Sequence, residues 1–340
     1  MTSGETQYKV VAALLQAGAP LRAEDLADQC GLTTVDVLPV LAALVEAGKV
    51  VPVFALQDPD TPLYRWSAIV TEGIKRSSSH SKRHLLERMA PADPSAAKPP
   101  SINGKAARLF NQYLAEEYRP PDGKRMVVFA QDASGRPFSS TPLHRCLRAA
   151  IATATGCDPV TDFPRCPVHV VVVAGGLGPV PYDLEGLFPA NVPSQSLKQL
   201  PDEQYRKVRS SLTRRMAAYL ASHSGSYDRL VAFAEGRCAD MIVSAAQSQS
   251  PPLPLKLLPR PDGPRVARVG TSVPQGQWEV YWIQLYLEIV DWLGPAVAAE
   301  ASARLKQRLV DVDWPAANQQ KQARLAQREP PKPVTWDRRD

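Results

Sequence analysis

Residues 168–186 read VHVVVVAGGLGPVPYDLEG. The opening run is short, rich in β-branched residues and almost free of polar alternation. That is the pattern of a strand buried on both faces, the usual environment of a parallel sheet. The glycines after it end the strand. Working outward, MVVFA (126–130) and RLVAFAE (229–235) have the same character, and helical periodicity fills 105–118, 143–154, 204–223 and 237–247. Short apolar strands separated by helices predict a three-layer α/β domain with a mostly parallel sheet over 105–250.

The first 70 residues follow a different plan. Apolar positions recur at helical spacing in 7–17, 22–29 and 35–47, with Gly18, Gly31 and Gly48 at the stops. Two apolar runs, 50–56 and 63–69, flank a turn at DPDTP. Three helices followed by a hairpin predict a winged helix over 1–70. Its third helix carries Asp36 and Glu46 and only the terminal base Lys49. A surface that holds phosphates should be basic, so contact with DNA, contact with a protein and simple packing all stay open for this unit.

Residues 71–104, with their SSSHSK and PADPSAAKPPS stretches, predict a flexible linker made basic by Lys75, Arg76, Lys82, Arg83 and Arg88. After 250 the chain predicts an edge hairpin near 254–280, an aromatic helix and a polar helix at 300–311, together a C-terminal extension over 251–315. Residues 316–340, rich in Gln, Arg and Pro, predict a disordered tail.

The formal charge of +6 is unevenly spread: residues 1–70 carry 4 bases and 8 acids, which leaves a surplus of +10 for residues 71–340. A polyanionic partner such as tRNA or DNA is therefore expected to meet the later part. The five cysteines are scattered without a CxxC pair, which argues against a disulfide framework and a zinc site. No apolar run approaches the about 20 residues of a membrane span. The expectation is a cytoplasmic chain with no membrane contact, no metal and no cofactor. Oligomeric state is not legible.

In an open parallel sheet, ligands collect beyond the carboxyl ends of the strands. The loop QDASGRPFSSTPLHR (131–145) is the densest in usable groups. Asp132 offers a carboxylate, Arg136 a planar anion clamp, His144 a titratable ring and Phe138 a stacking face. Ser134, Ser139 and Thr141 offer hydroxyls, and Ser139, Ser140 and Thr141 are equally suited to capping a helix. Gly175, Gly176 and Gly178 would let backbone approach a ligand, and Glu235 closes the third loop. The glycine cluster fits neither the P-loop nor the dinucleotide pattern.

The segment VHVVVVAGGLGPVPYDLEGLFPA (168–190) resembles the core of archaeosine synthases, where a strand runs into G-x-VPxxLExxYPA. Those enzymes also carry Pro-Cys-x-x-x-Lys-Pro-Tyr-x-x-Ser-x-x-His after a preceding strand. Here Arg136, Pro137 and Phe138 take the Lys-Pro-Tyr places, Thr141 the serine and His144 the histidine. Gln131 and Asp132 stand where the motif has proline and cysteine. The similarity covers roughly 125–248. It implies transfer of an amine to the nitrile of 7-cyano-7-deazaguanine in tRNA or DNA. Arg136 would then be the anion clamp, His144 the proton donor and Phe138 the stacking face. The missing cysteine and the acidic third helix favour the alternative, a non-catalytic adaptor or regulator whose α/β domain binds a nucleotide-like ligand or a protein partner.

Overall fold

The computed structural model describes residues 3–17, 19–46, 49–55, 61–66, 81–91, 97–259 and 282–310. The N-terminal unit contains α1 (Ser3–Ala17), α2 (Ala23–Cys30), α3 (Thr34–Glu46) and an antiparallel hairpin of β1 (Val50–Phe54) and β2 (Pro62–Trp66). Gly31, at φ 64°, adopts the left-handed cap that ends α2. Thr33 and Asp36 exchange side-chain and backbone hydrogen bonds that start α3. Val10, Leu14, Leu26, Val37, Leu41, Leu44 and Val50 form a small core. The next hairpin residues, Val51 and Val53, point the other way and join the main core. Strand alternation thus lets one hairpin serve two cores.

The main sheet has the order β5-β4-β3-β6-β7, from Gly178–Pro181, Val168–Ala174, Met126–Gln131, Arg229–Phe233 and Leu255–Leu258. β4, β3, β6 and β7 are parallel neighbours, and β5 returns antiparallel against β4. The α/β class with a mostly parallel sheet is what the apolar runs require. The helices are α5 (Lys105–Glu116), α6 (Pro142–Thr155), α7 (Asp202–His223), α8 (Gly236–Gln247), α9 (Ile283–Leu293) and α10 (Pro295–Val310), after a short α4 (Lys82–Met89).

Register shows that both faces are covered. Phe129 pairs with Ala232 and meets Tyr219 of α7 edge-on. Its neighbour Ala130 pairs with Phe233, which stacks on Trp282, at the start of α9, at 4.0 Å between ring centroids. Adjacent residues of a strand face opposite sides, so α7 and α9 lie on opposite faces. Among the described residues no single helix is long and apolar enough to cross a membrane.

Two expectations are corrected. Lys82–Met89, expected within a flexible linker, is a helix whose Leu86 is fully buried in the main core. Glu117 fixes its start by accepting from Ser81 Oγ and Lys82 N. The glycine loop after β4 is only a tight turn, because 178–181 is already strand. Of the segment 254–280, expected to hold an edge hairpin, the described part is one strand, β7, parallel to β6. The remainder of that hairpin, residues 71–80 and 92–96 of the linker, and the 316–340 tail lie outside the described residues.

Candidate functional site

The loop after β3 reaches the rim where the glycine turn and the segment 194–197 converge. Asp132 is 9% exposed, and its carboxylate accepts from Gly175 N at 2.9 Å and Leu197 N at 3.1 Å. Burial raises its pKa to about 6, against the pull of those two N–H groups and of Arg136. One carboxylate therefore ties three chain segments together.

Arg136 lies on the ring of Phe138, 3.7 Å from guanidinium carbon to centroid. It donates Nε to Ala190 O (2.9 Å), Nη1 to Ala133 O and Gly135 O, and Nη2 to Ser194 Oγ (2.8 Å). Burial lowers its pKa to about 10. A guanidinium with at least four of its five donors engaged by its own chain is a loop staple, so the expected open anion clamp is corrected. Phe138 is fully buried, with the His144 ring 6.0 Å away on the α6 side. His144 bonds Tyr182 through Nδ1 at 2.7 Å, and burial depresses its pKa to about 3. A neutral, 1% exposed imidazole lacks the acidic imidazolium proton that a general acid would need near neutral pH.

The glycines are packing positions. A Cβ on Gly175 would sit 3.0 Å from Gln195 O and 3.2 Å from Leu197 N. On Gly176 it would meet Pro100 O, and on Gly178, at φ 94°, it would meet the Arg215 side chain. The space where a ligand was expected holds the chain itself. Thr141 closes the turn by donating to Phe138 O. Ser134 and Glu235 are exposed and stand apart from the buried loop groups. A cavity of about 220 Å³ lies elsewhere, between α5 and α7, lined among others by Asn111, Gln112, Glu116, Arg214 and Arg215.

Sequence reasoning missed a buried charge cluster beneath this loop. Glu185 accepts from Ser139 N (2.9 Å) and Ser139 Oγ (2.5 Å). Arg65 of β2 donates to Tyr182 O at 3.2 Å and faces Glu185 at 3.8 Å. Arg148 bonds Asp158 through Nε and Nη2 and also donates to Ser139 O and Phe54 O. Burial raises the pKa of Glu185. Ser139, expected to bind substrate, is thereby held by the N-terminal hairpin's own partners. The available signal was the acidic pair in VPYDLEG, charges inside an otherwise apolar segment.

A second missed cluster lies at the opposite, amino edge of the sheet. His169 bonds Asp183 (3.1 Å) and Tyr227 (2.7 Å), while Tyr118 donates to Asp183 and Tyr219 meets Tyr227. Burial raises the pKa of Asp183, but the bonds from His169 and Tyr118 outweigh it and leave the carboxyl below its ordinary value. All five side chains are buried. The group forms a satisfied network under α5 and α7. Among the described residues no set of His, Cys, Asp and Glu could hold a metal ion. In comparisons with models of protein families, with curated proteins and with solved structures, the chain matches none.

Proposed function

We propose that this protein is a nucleic-acid-binding, non-catalytic component of 7-deazaguanine modification. In this reading it combines a winged-helix unit with an archaeosine synthase-like α/β domain that holds the tRNA or DNA without reacting with its base. One observation carries the reading: the side chains in the places of the family's reactive motif, Asp132, Arg136 and His144, are all bonded to the protein itself. Chemistry on a nitrile needs a nucleophile or a proton donor within hydrogen-bond reach of substrate, and these three are turned inward.

The winged-helix reading is supported by the order of three helices and a hairpin, and by the Leu21–Tyr64 bridge, which adds a short third strand. The exposed face of α3 carries Val35 and Leu38, with Asp36 and Glu46 and no base. That favours a protein partner for this unit and leaves phosphate contact to the rest of the chain. A cytoplasmic location suits the five free cysteines.

The test supplies the full chain with a duplex bearing 7-cyano-7-deazaguanine and an excess of lysine or ammonium. The expected result is retention of the duplex with its nitrile unchanged by nucleoside mass spectrometry. Consumption of the nitrile would restore the transferase reading. Failure to retain either duplex DNA or tRNA would remove the nucleic-acid reading.

A further inference from the structure

The geometry points to a phosphate-binding track for duplex nucleic acid along the outer face of α7, continued by the start of α5. It rests on the reading of nucleic acid as partner and adds where that partner lies. From Gln204 to His223, α7 carries five bases and no acid. Its two acids fall in the first turn, where Arg237 holds Asp202 and Lys207 pairs with Glu203 at 2.6 Å. Arg206, Arg209 and Arg214 are exposed and make no ion pair or hydrogen bond among the described residues. Arg215 shows the contrast: it turns inward, with its guanidinium on Leu177 O and Ile102 O. With about 1.5 Å of rise per residue, Arg206 and Arg214 are spaced about 12 Å along the helix axis. Duplex DNA presents a charge every 1.7 Å or so of its axis, so several phosphates fall within that span.

The faces of α5 and α7 belong to one surface. Gln112 and Glu116 of α5 and Arg214 and Ala218 of α7 border the same 220 Å³ depression. Lys105 and Arg108 lie on the α5 line that also carries Gln112, exposed and without ion pairs among the described residues. Glu116, the acid of α5, is taken up by Lys82 at 2.7 Å. The surface is therefore cationic without local neutralisation, while the N-terminal 70 residues are net acidic.

A duplex fits this face better than a lipid surface. A helix that lies on a membrane inserts large apolar side chains beside its cations. Among the described residues the exposed large apolar ones are Tyr8, Leu15, Val35, Leu38, Leu257 and Leu287, none of them on α5 or α7.

The test is duplex binding by fluorescence anisotropy over a salt series, using the full chain. The charge reversal Arg206→Glu/Arg209→Glu/Arg214→Glu should weaken binding at least ten-fold at low salt. It should also lower the slope of log affinity against log salt by roughly 3, at about 0.9 per phosphate contact. The milder Arg206→Ala/Arg209→Ala/Arg214→Ala variant should fall between, with an unchanged circular dichroism spectrum. A control reversal of equal charge, Arg22→Glu/Arg165→Glu/Lys306→Glu, should weaken binding less than three-fold. Equal loss in control and test variants, or wild-type affinity in the test variant, would overturn the track while leaving nucleic acid as partner. A wild-type chain that ignores duplexes but binds anionic-lipid vesicles would overturn both.

Discussion

Arg65 of the N-terminal hairpin and Glu185 of the segment after β5 face each other at 3.8 Å with both side chains buried. Only Nη2 of Arg65 is hydrogen-bonded; Nε and Nη1 have no partner among the described residues. Burial accordingly lowers the pKa of this guanidinium, against the attraction of Glu185. A buried cation so incompletely satisfied gives back part of its Coulomb gain as desolvation. Arg65→Ala should still destabilise the chain, because it removes the cation facing the buried Glu185 carboxylate, leaving it only its bonds from Ser139, and takes one donor away from Tyr182 O. The expected loss is about 1–3 kcal/mol in denaturant unfolding, below the range for well-formed buried pairs. Limited proteolysis should cut faster within the hairpin. An unchanged midpoint would mean that desolvation cancels the contact.

Gly175 is tested by the smallest change available. Gly175→Ala brings a methyl to within 3.0 Å of Gln195 O, a backbone atom that cannot swing away, and to 3.2 Å of Leu197 N, which bonds Asp132. Overpacking of this kind costs about 1–3 kcal/mol. Gly225→Ala is the control, since nothing lies within 4 Å of its Cβ position. It should stay within about 0.5 kcal/mol of the parent, as exposed substitutions do. A comparable loss in both would show that the rim is not closed against the 194–197 segment.

The sheet was legible because β3, β4 and β6 are apolar runs whose polar residues, Gln131, His169 and Arg229, fall at or next to their ends, and burial on two faces leaves no other use for them. β5 was not, because GPVP has neither length nor alternation, and only its pairing to Val171–Ala174 makes it a strand. α4 was hidden by its charges; it is held by one buried leucine and by Glu117, a contact made through the fold. The loop 131–145 stands out in the sequence as the densest in function-capable groups. Its residue types fit capping and stapling as well as they fit chemistry, and spacing cannot tell which way a guanidinium turns. Arg65 is not legible because its partners Tyr182 and Glu185 lie in a distant segment, and Arg148 because its pairing with Asp158 runs from a helix to the turn beyond it.

His144 predicts acid sensitivity. Its folded pKa is lowered to about 3 against 6.5 for the free ring. Between those values the unfolded chain binds the proton and the folded chain does not, so stability is full above pH 6.5 and is lost as pH falls toward 3. The contribution between pH 7 and pH 5 is roughly 2 kcal/mol. In His144→Gln this part of the pH dependence should disappear from urea midpoints, whatever the variant's absolute stability. A variant whose pH profile from 7 to 5 superimposes on the parent's would show that the ring is not buried neutral.

Asp132 acts with the opposite sign. Its folded pKa is raised to about 6 from 3.8, so between pH 4 and 6 the folded chain holds a proton that the unfolded chain has released. Stability from this group is full below about pH 4 and declines as pH rises through 6, by up to roughly 3 kcal/mol for a shift of this size. In the parent the two slopes oppose each other. The variants separate them. Asp132→Asn keeps one oxygen for Gly175 N and Leu197 N and cannot titrate, so its midpoints should rise more steeply from pH 4 to 6 than the parent's, exposing the His144 slope alone. Combined with His144→Gln, the profile should flatten. If Asp132→Asn instead left the slope of the parent unaltered, the carboxylate would be ionised through that range and the rim around Gly175 would have to admit water.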